Sequence, residues 1–267
     1  MIPIQFEYGS ILVSLLCLAV GVVYDVKTRE VTDKLWLVYG ALGLTLTIIR
    51  TFVDASLILP IILSIGLSTL LALGLAQFAL FGGADAKALI CLALTTPLTP
   101  TFAHPMFGYA YPFLPILVML TAFVYSGSVV MWILGKNLSR YIHTGELGFS
   151  GALAEESCWK KAFAVMSGYP VSLLELKASI HLYPMEGFTQ EGNGVKRRFI
   201  FSLNIAERAE SISKLDALAR EHFSEVDFEK LKLWATPGLP MLLFIFISFL
   251  SSLIVGDPMF GFLVRRN

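Results

Sequence analysis

The chain is poor in charge and lacks a nucleotide-binding motif. Only 15% of its 267 residues are charged, against about 25% in an ordinary soluble domain. The formal net charge is zero, so no overall excess of positive charge favours nucleic acid as a partner. No G-x-x-x-x-G-K-[ST] phosphate-binding loop is present, which argues against ATP-driven transport.

Cysteine is scarce, and its positions do not form a metal-binding pattern. Cys17, Cys91 and Cys158 are far apart, and no C-x-x-C pair occurs. The four histidines also lack the spacing of metal ligands. We therefore expect neither a disulfide framework nor a bound metal, and we predict no cofactor.

Apolar sequence is what the chain has in abundance. Its hydrophobic fraction is 56% and its mean hydropathy is +0.72. Because a spanning helix needs about 20 mostly apolar residues, the sequence predicts a polytopic α-helical membrane protein with about six transmembrane helices. The sixth predicted span, Ala86–Leu98, is short, because Pro97 and Pro100 end it. The five longer runs are Ile4–Tyr24, Leu35–Phe52, Leu57–Phe81, Phe113–Leu134 and Leu239–Val255.

Basic residues predict the orientation of these helices. They follow the first, third and fifth spans, whereas the segments on the other side carry only Arg50 before the last helix. The positive-inside rule therefore places the N-terminus outside, with Arg265 and Arg266 at the C-terminus as an exception. The first run lacks a basic leader and a cleavage site, so we expect it to stay as a membrane helix. The inside residues are Lys27, Arg29, Lys34, Lys87, Lys136 and Arg140.

A region of mixed charge from about Lys136 to Trp234 predicts a small cytoplasmic α/β domain before the last helix. Apolar residues alternate from Leu174 to Leu182 and again from Phe199 to Ile205, which predicts two strands of a hairpin joined by GFTQEGNG. Helical spacing follows at Ile212, Leu215, Ala219 and Phe223. We predict a membrane domain at 1–135, a cytoplasmic domain at 136–236, and a last helix with its tail at 237–267.

Two aspartates stand at the ends of predicted spans. Asp25 closes the first apolar run and Asp85 follows the third, so two crossings between them place both on the cytoplasmic face. Each has a structural interpretation, because a charged residue commonly marks a membrane boundary. Asp85 can also cap a helix that begins at Ala86, or pair with Lys87.

Paired carboxylates at one membrane surface also have a chemical interpretation. Like charges a few ångströms apart do not both ionise easily, so the pair shares one proton. The ionised partner then acts as a base toward water, and the protonated partner acts as an acid toward a peptide carbonyl. The small residues Gly82, Gly83 and Ala84 before Asp85 let a backbone approach closely, as an extended peptide substrate requires.

The stretches YDVKTREV around Asp25 and GGADAKAL around Asp85 resemble the archaeal type IV prepilin and preflagellin peptidases. In that family one aspartate ends the first span within a D-x-K-x-R-x-[VI]-like stretch, and another lies in a G-x-G-D-like motif after a later span. The six-span layout with a soluble insert is also similar. The resemblance implies a cofactor-free aspartic endopeptidase with Asp25 and Asp85 as its catalytic residues, supported by Gly82, Gly83 and Ala84.

The chain departs from the family pattern at Ala84, where the motif has glycine. Alanine disfavours positive φ. The substitution therefore bears on the backbone conformation of the loop more than on the role of the Asp85 carboxylate. The bacterial relatives often carry two C-x-x-C pairs and an N-methyltransferase activity. Because this chain has no such pairs, we do not expect methylation.

The resemblance also implies a substrate, which is the precursor of a pilin-like or archaellin subunit in the lipid bilayer. Its short basic leader would be cut at the cytoplasmic boundary, ahead of its apolar helix. Glu30, Asp33, Glu155 and Glu156 can attract such a leader, although exposed carboxylates are more often simply solvated. Asp33, or Thr32 before it, also has the position of a cap for the second span.

Three other functions fit parts of the sequence. An intramembrane aspartic protease uses a similar pair, but it cuts within transmembrane helices, whereas these aspartates lie at span ends. A proton-coupled carrier also uses membrane carboxylates, but it usually has inverted repeats and charges near the midplane, which this sequence does not show. A non-catalytic assembly factor would act through the cytoplasmic domain, and loss of cleavage on changing either aspartate would exclude it.

Overall fold

The computed structural model describes residues 4–78, 81–103, 111–149, 151–191, 194–200, 212–213, 217 and 232–256. These residues form a mostly helical protein with a small strand-containing part. They divide into two compact units. One unit comprises the described residues of Met1–Ser126 and Pro240–Asn267, and the other comprises those of Gly127–Leu239.

The first unit consists of long apolar helices, and the chain is a multi-pass α-helical membrane protein. Four stretches are long and apolar enough to cross a bilayer, namely Gln5–Thr28, Asp33–Val53, Ala55–Gln77 and Leu114–Thr144. The helices are α1 at Ile4–Thr28, α2 at Asp33–Val53, a 3₁₀ turn at Ala55–Leu57, α3 at Ile58–Gln77, α4 at Gly83–Thr95, α5 at Leu114–Thr144 and, after the second unit, α8 at Met241–Ile254. Helix α5 belongs to the first unit up to Ser126 and to the second unit from Gly127. Helix α8 is apolar but shorter than the four spanning stretches.

The bounds of α4 and α5 differ from the predicted ones in ways that affect the site and the domain boundary. Helix α4 begins at Gly83, three positions before the predicted start at Ala86, because Gly82 takes the extended conformation of an N-cap. It ends at Thr95, since the residue before Pro97 is unfavourable in a helix. Helix α5 continues past the predicted end at Leu134 to Thr144, so the predicted boundary between 135 and 136 falls inside a helix.

Helix α4 forms the core of this unit. It packs against α1, α2, α3 and α8, and its side chains from Ala86 to Ala93 are mostly buried. Small residues let the backbones approach closely. At Gly43 on α2, an added Cβ would lie only 1.9 Å from the Thr95 hydroxyl. By contrast, large apolar side chains such as Leu12 and Leu70 stay exposed on α1 and α3, as lipid-facing surfaces do.

Neighbouring helices compensate for the early end of α4. The last carbonyls of a helix have no partner within it, and in a membrane they need another donor. The Thr47 hydroxyl on α2 donates to the Leu94 carbonyl at 2.6 Å, and the Ser64 hydroxyl on α3 donates to the Pro97 carbonyl at 2.5 Å. A short buried helix is therefore stable here because the polar groups at its end are satisfied.

The second unit contains a small antiparallel sheet and a separate hairpin. The elements are a 3₁₀ turn at Gly151–Glu155, α6 at Cys158–Ser167, β1 at Tyr169–Ser172, α7 at Leu173–Ala178, β2 at Leu182–Pro184, β3 at Glu186–Glu191, β4 at Gly194–Phe199 and β5 at Lys232–Pro237. Strand β5 is central in the order β1-β5-β2, with Val171 opposite Leu233 and Tyr183 opposite Thr236. Strands β3 and β4 pair antiparallel, with Glu186 opposite Phe199.

The prediction of a strand from Leu174 to Leu182 is wrong over most of its length, because Leu173–Ala178 is helix α7. A reciprocal cap starts this helix. The Glu175 N–H donates to the Ser172 hydroxyl at 3.2 Å, and the Ser172 N–H donates to the Glu175 carboxylate at 3.1 Å. In such a short segment, local capping outweighed the period-two pattern. Only the end of the predicted strand, from Leu182, is extended.

The predicted hairpin with strands from Leu174 to Leu182 and from Phe199 to Ile205 is wrong in its position, because an antiparallel hairpin lies between these two segments instead. Most of the predicted link GFTQEGNG is itself strand β3, and Phe199 ends β4 rather than beginning a strand. Residues 201–205, which were predicted to continue the second strand, lie outside the described residues. The predicted helix along 212–223 also lies mostly outside them, with Ile212 and Ser213 described as helical.

A buried ion pair connects the hairpin to β5. The Glu186 carboxylate receives the Arg197 guanidinium at 2.7 Å and the Trp234 backbone N–H at 2.6 Å. Burial raises the pKa of Glu186, while Arg197 and the Trp234 N–H oppose that shift. The ion pair therefore holds the hairpin against the sheet. The ionised form of Glu186 is stabilised there by Arg197 and by the Trp234 N–H.

Candidate active site

Asp25 lies in the last turn of α1, because this helix runs one turn past the predicted end at Tyr24. Its backbone carbonyl accepts a hydrogen bond from the Arg29 N–H at 3.1 Å. The Thr28 hydroxyl donates to the Tyr24 carbonyl at 2.9 Å and further closes the helix end. The Asp25 side chain is partly exposed, so it lies at the transition from the apolar helix to a polar surface.

Arg29 follows the last helical residue with a φ of 60°. A left-handed residue commonly ends a helix, but glycine usually takes this position. For residues with a Cβ, the conformation costs about 1–2 kcal/mol. Arg29 is the one non-glycine residue with positive φ in the described part of the chain. The chain therefore accepts strain next to Asp25 where glycine would have avoided it.

Asp85 lies in the first turn of α4, at the third helical position, and not at the predicted N-cap. Its Oδ2 accepts a hydrogen bond from the Gly82 N–H at 2.9 Å. This is the acidic half of a capping box, since glycine has no side chain to return the bond. A Cβ on residue 82 would lie 3.1 Å from the same oxygen. Glycine at this position therefore leaves room for the carboxylate.

The departure from the family motif at Ala84 introduces no strain. Ala84 lies inside α4, and a helical residue has negative φ, which alanine favours. At Gly83 an added Cβ would meet nothing within 4 Å. Of the three small residues before Asp85, only Gly82 therefore shows a packing reason for lacking a side chain.

The fold brings the two predicted aspartates near enough for the charge of one to influence the other. The charges of Asp25 and Arg29 both act on the Asp85 carboxyl group. Asp85 is itself partly exposed, and Gly82 and Gly83 beside it are exposed. The site therefore combines two interacting carboxylates, one guanidinium and access to water, which are the groups that general acid–base catalysis uses.

One structural interpretation expected Lys87 to pair with Asp85, and this is wrong, because Lys87 pairs with another residue. Its ammonium binds Asp33 at 2.6 Å, and both side chains are largely exposed. Asp33 is the first residue of α2, and Thr32 before it makes no side-chain cap bond. Asp33 thus has a partner of its own, although it lies on the same side of the unit as the aspartate pair.

The other acidic residues predicted to attract a basic leader differ in their surroundings. Glu30 is exposed next to Arg29. In the second unit, Glu155 pairs loosely with Lys196 at 3.5 Å. Glu156 binds Lys160 at 2.8 Å, and this hydrogen bond holds the pKa of Glu156 below its usual value. Glu156 therefore has a local structural role.

Metal chemistry has no obvious ligand set in this part of the molecule. Across the described ranges, no group of three or more histidine, cysteine, aspartate or glutamate side chains is placed to hold a metal ion. Asp25 and Asp85 therefore offer two interacting carboxyl groups rather than a larger ligand set.

A buried charge cluster at the opposite ends of α1 and α2 was missed in the sequence. Glu7 is 2% exposed and Arg50 is 7% exposed, and the two side chains meet at 2.9 Å. The second Glu7 oxygen accepts the Thr101 N–H and hydroxyl, each at 2.9 Å. From the sequence, Arg50 is only a basic residue that flanks a predicted span. The available signal was that an acid and a base each lie inside an apolar run.

Two family models match most of the chain. The model of the type IV leader peptidase family matches residues 12–134, which include both aspartates. The model described as archaeal peptidase A24 C-terminus type II matches residues 160–258.

Two curated relatives cover nearly the whole chain. A preflagellin peptidase of Methanococcus voltae is 24% identical over 262 residues, which are 94% of this chain and 97% of that protein. A preflagellin peptidase of Methanocaldococcus jannaschii is 23% identical over 259 residues, which are 94% of this chain and 96% of that protein.

Proposed function

The chain belongs to the type IV leader peptidase family, and on that premise we propose that it is a membrane aspartic endopeptidase. Its substrates are precursors of archaellin or type IV pilin-like subunits. It removes their short basic leader at the cytoplasmic boundary of the membrane. The names of the two preflagellin peptidases support this substrate class.

The observation that carries the proposal is the pair of aspartates at one end of the helical unit. Asp25 and Asp85 are 60 positions apart in the sequence, yet the charge of one acts on the other. Asp33 lies on the same side but is already paired with Lys87. Of these three aspartates, Asp25 and Asp85 therefore have the surroundings that a proton-sharing pair requires.

The proposed mechanism assigns opposite roles to the two carboxyl groups. The ionised aspartate removes a proton from water, and the water oxygen bonds to the carbonyl carbon of the scissile peptide. The protonated aspartate donates its proton to the carbonyl oxygen. When the tetrahedral intermediate collapses, the carbon–nitrogen bond breaks and the leaving amine receives a proton. The pair titrates as a unit, so the two protonation states belong to the pair and not to one residue each.

The position of the pair supports a cut near the membrane surface. Asp25 is in the last turn of a spanning helix and Asp85 in the first turn of α4. An apolar substrate helix would lie in the bilayer, and its leader would extend into the polar region beyond it. An intramembrane protease that cuts inside a helix would instead need its carboxylates deeper in the bilayer.

A cleavage assay in detergent tests the proposal. The substrate is a precursor with a basic leader and an apolar helix, and the enzymes are wild type, Asp25→Asn, Asp85→Asn and Asp33→Asn. We expect one cut before the apolar helix, with the rate reduced at least about a thousandfold in the first two variants. Asp33→Asn is the matched control, because it removes a nearby exposed carboxylate that is paired with Lys87, and its kcat should stay at the wild-type value even if the KM for the basic leader rises.

Other outcomes separate the alternatives. Cleavage within the apolar helix would indicate an intramembrane protease. Normal cleavage by either Asp25→Asn or Asp85→Asn would exclude the pair. A wild-type protein that cuts none of several precursors would favour a carrier or an assembly factor.

The side of the membrane is a separate part of the proposal, and Cys158 offers a direct test. This thiol is exposed at the start of α6, whereas Cys91 is buried and Cys17 is partly buried. If the second unit is cytoplasmic, an impermeant maleimide should label Cys158 only after the cells are permeabilised. Labelling in intact cells would show the opposite orientation.

A further inference from the structure

Arg29 is the residue in which the local backbone and the site electrostatics coincide. Its left-handed conformation is unusual for a residue with a side chain. Strained residues persist where the surrounding structure fixes them, and they concentrate at functional sites. If the turn required only a left-handed residue, glycine would provide it without strain.

The backbone of Arg29 acts on the first aspartate. Its N–H closes the last turn of α1 on the Asp25 carbonyl at 3.1 Å. The same turn carries Asp25, so the backbone conformation of Arg29 helps to position the Asp25 side chain. A helix that frayed here would release Asp25 from its place at the membrane boundary.

The side chain of Arg29 acts on the second aspartate. Its positive charge reaches the Asp85 carboxyl group, on which Asp25 exerts the opposing negative charge. A cation beside two carboxylates favours the ionised form of the pair. Such an influence sets the pH range over which one aspartate is protonated and the other is not.

We propose that Arg29 is a positioning residue of the aspartate pair, which fixes the last turn of α1 through its backbone and stabilises the ionised carboxylate through its guanidinium. This inference rests on the proposed function, in which the pair shares one proton. It goes beyond that function by assigning the pH range of activity to a residue outside the pair.

Few other charged groups compete with Arg29 around Asp85. The helices packed against α4 are α1, α2, α3 and α8, and neither α3 nor α8 contains a charged residue. The charges that influence Asp85 belong to Asp25 and Arg29. The remaining charged groups of this end are Lys27 on α1, Glu30 in the connection, Asp33 and Lys34 on α2, and Lys87 on α4.

Three substitutions separate the two roles of Arg29. Arg29→Lys keeps a positive charge, Arg29→Gln removes it, and Arg29→Gly removes it while relieving the backbone strain. Lys27→Gln is the matched control, since it removes a positive charge from the same helix end. For each purified full-length protein, the measurements are the pH dependence of kcat/KM for precursor cleavage and the thermal unfolding midpoint in detergent.

A second readout does not depend on cleavage. A hydrophobic carbodiimide reacts with protonated carboxyl groups, so the pH at which half of Asp85 is modified can be followed by mass spectrometry. This midpoint reports the proton on Asp85 even in a variant that cleaves slowly. It also distinguishes failure of this inference from failure of the proposed function.

We expect Arg29→Gln and Arg29→Gly to move the acid limb of the kcat/KM profile and the modification midpoint upward by about one pH unit. Arg29→Lys should shift both much less, and Lys27→Gln should leave both unchanged. Arg29→Gly should unfold no earlier than wild type, because glycine tolerates positive φ.

Three results would overturn the inference. The first is a wild-type profile and midpoint in both Arg29→Gln and Arg29→Gly. The second is an equal shift in Lys27→Gln, which would indicate a general charge effect. The third is a raised KM without any shift, which would make Arg29 a substrate-binding residue. If wild type cleaves no precursor, the proposed function fails, and the modification midpoints still decide whether Arg29 acts on Asp85.

Discussion

The two ends of the helical unit hold their carboxylates in opposite ways. Glu7 is buried and receives three contacts, one from the Arg50 guanidinium and two from the N–H and hydroxyl of Thr101. Asp85 receives one hydrogen bond from the Gly82 N–H among the described residues, and a second carboxylate acts on it. At one end the carboxylate is neutralised and hydrogen-bonded by several donors. At the other end two carboxyl groups are brought together.

This difference shows how surroundings divide structural carboxylates from reactive ones. A buried charge is tolerated when a partner of opposite sign and hydrogen-bond donors satisfy it. A carboxyl group that must gain and lose a proton needs a weaker set of partners, so that neither protonation state is strongly favoured. Glu7 meets the first condition, and Asp85 meets the second.

The largest change in stability is expected from a substitution in the buried cluster of Glu7 and Arg50. Glu7→Ala leaves the Arg50 guanidinium buried without its carboxylate and frees the Thr101 donors. The free energy of unfolding should fall by about 3–5 kcal/mol, while the folded fraction should still cleave precursor. Denaturant unfolding in detergent, combined with the cleavage rate per folded molecule, measures both effects.

A paired substitution provides the control for this experiment. Replacing Glu7 and Arg50 together by methionine removes both charges, so it should cost much less than Glu7→Ala. If Glu7→Ala alone were as stable as wild type, the cluster would have no structural role and the contrast between the ends would disappear.

A smaller change of opposite sign is expected at the reactive end. Asp85→Asn removes the like charge beside Asp25, and the asparagine oxygen can still accept the Gly82 N–H. The free energy of unfolding should therefore stay the same or rise by about 1 kcal/mol, although cleavage is lost. A marked fall in stability would instead place Asp85 among the structural carboxylates.

The smallest effect is expected at Asp33, which shares the face of the aspartate pair but is exposed. Exposed ion pairs contribute about 0–1 kcal/mol, so Asp33→Asn should change the unfolding free energy by less than about 0.5 kcal/mol. The measurement is the unfolding midpoint of wild type and variant in low salt and in high salt. Because salt screens the exposed ion pair with Lys87, the difference between the two proteins should be smaller in high salt. A loss above about 1 kcal/mol would mean that the pair has a larger role.

The sequence predicted the helical elements well and the strands poorly. Long apolar runs can satisfy their backbone in a bilayer only as helices, so the spans from α1 to α3 follow directly from composition. In the second unit, short segments carried competing signals. Leu174 to Leu182 alternates like a strand, but the Ser172–Glu175 cap made its first part helical.

The candidate site was predictable as a set of residue types but not as an arrangement. Asp25 and Asp85 stood out because carboxylates are rare beside apolar runs. The sequence did not indicate the role that we propose for Arg29, because a left-handed backbone at an arginine has no sequence signature. The Glu7–Arg50 pair was also missed, since 43 positions separate its members.

By itself, the sequence determined the membrane class and the helical spans, and it singled out the two aspartates. Each of these depends on local composition and on the cost of placing polar groups in lipid. Only the tertiary structure decided which charges interact. Packing of α4 among four helices brought Asp85 under the influence of Asp25 and Arg29, and it joined Lys87 to Asp33 instead. Electrostatic interaction depends on distance in space, and the fold sets that distance.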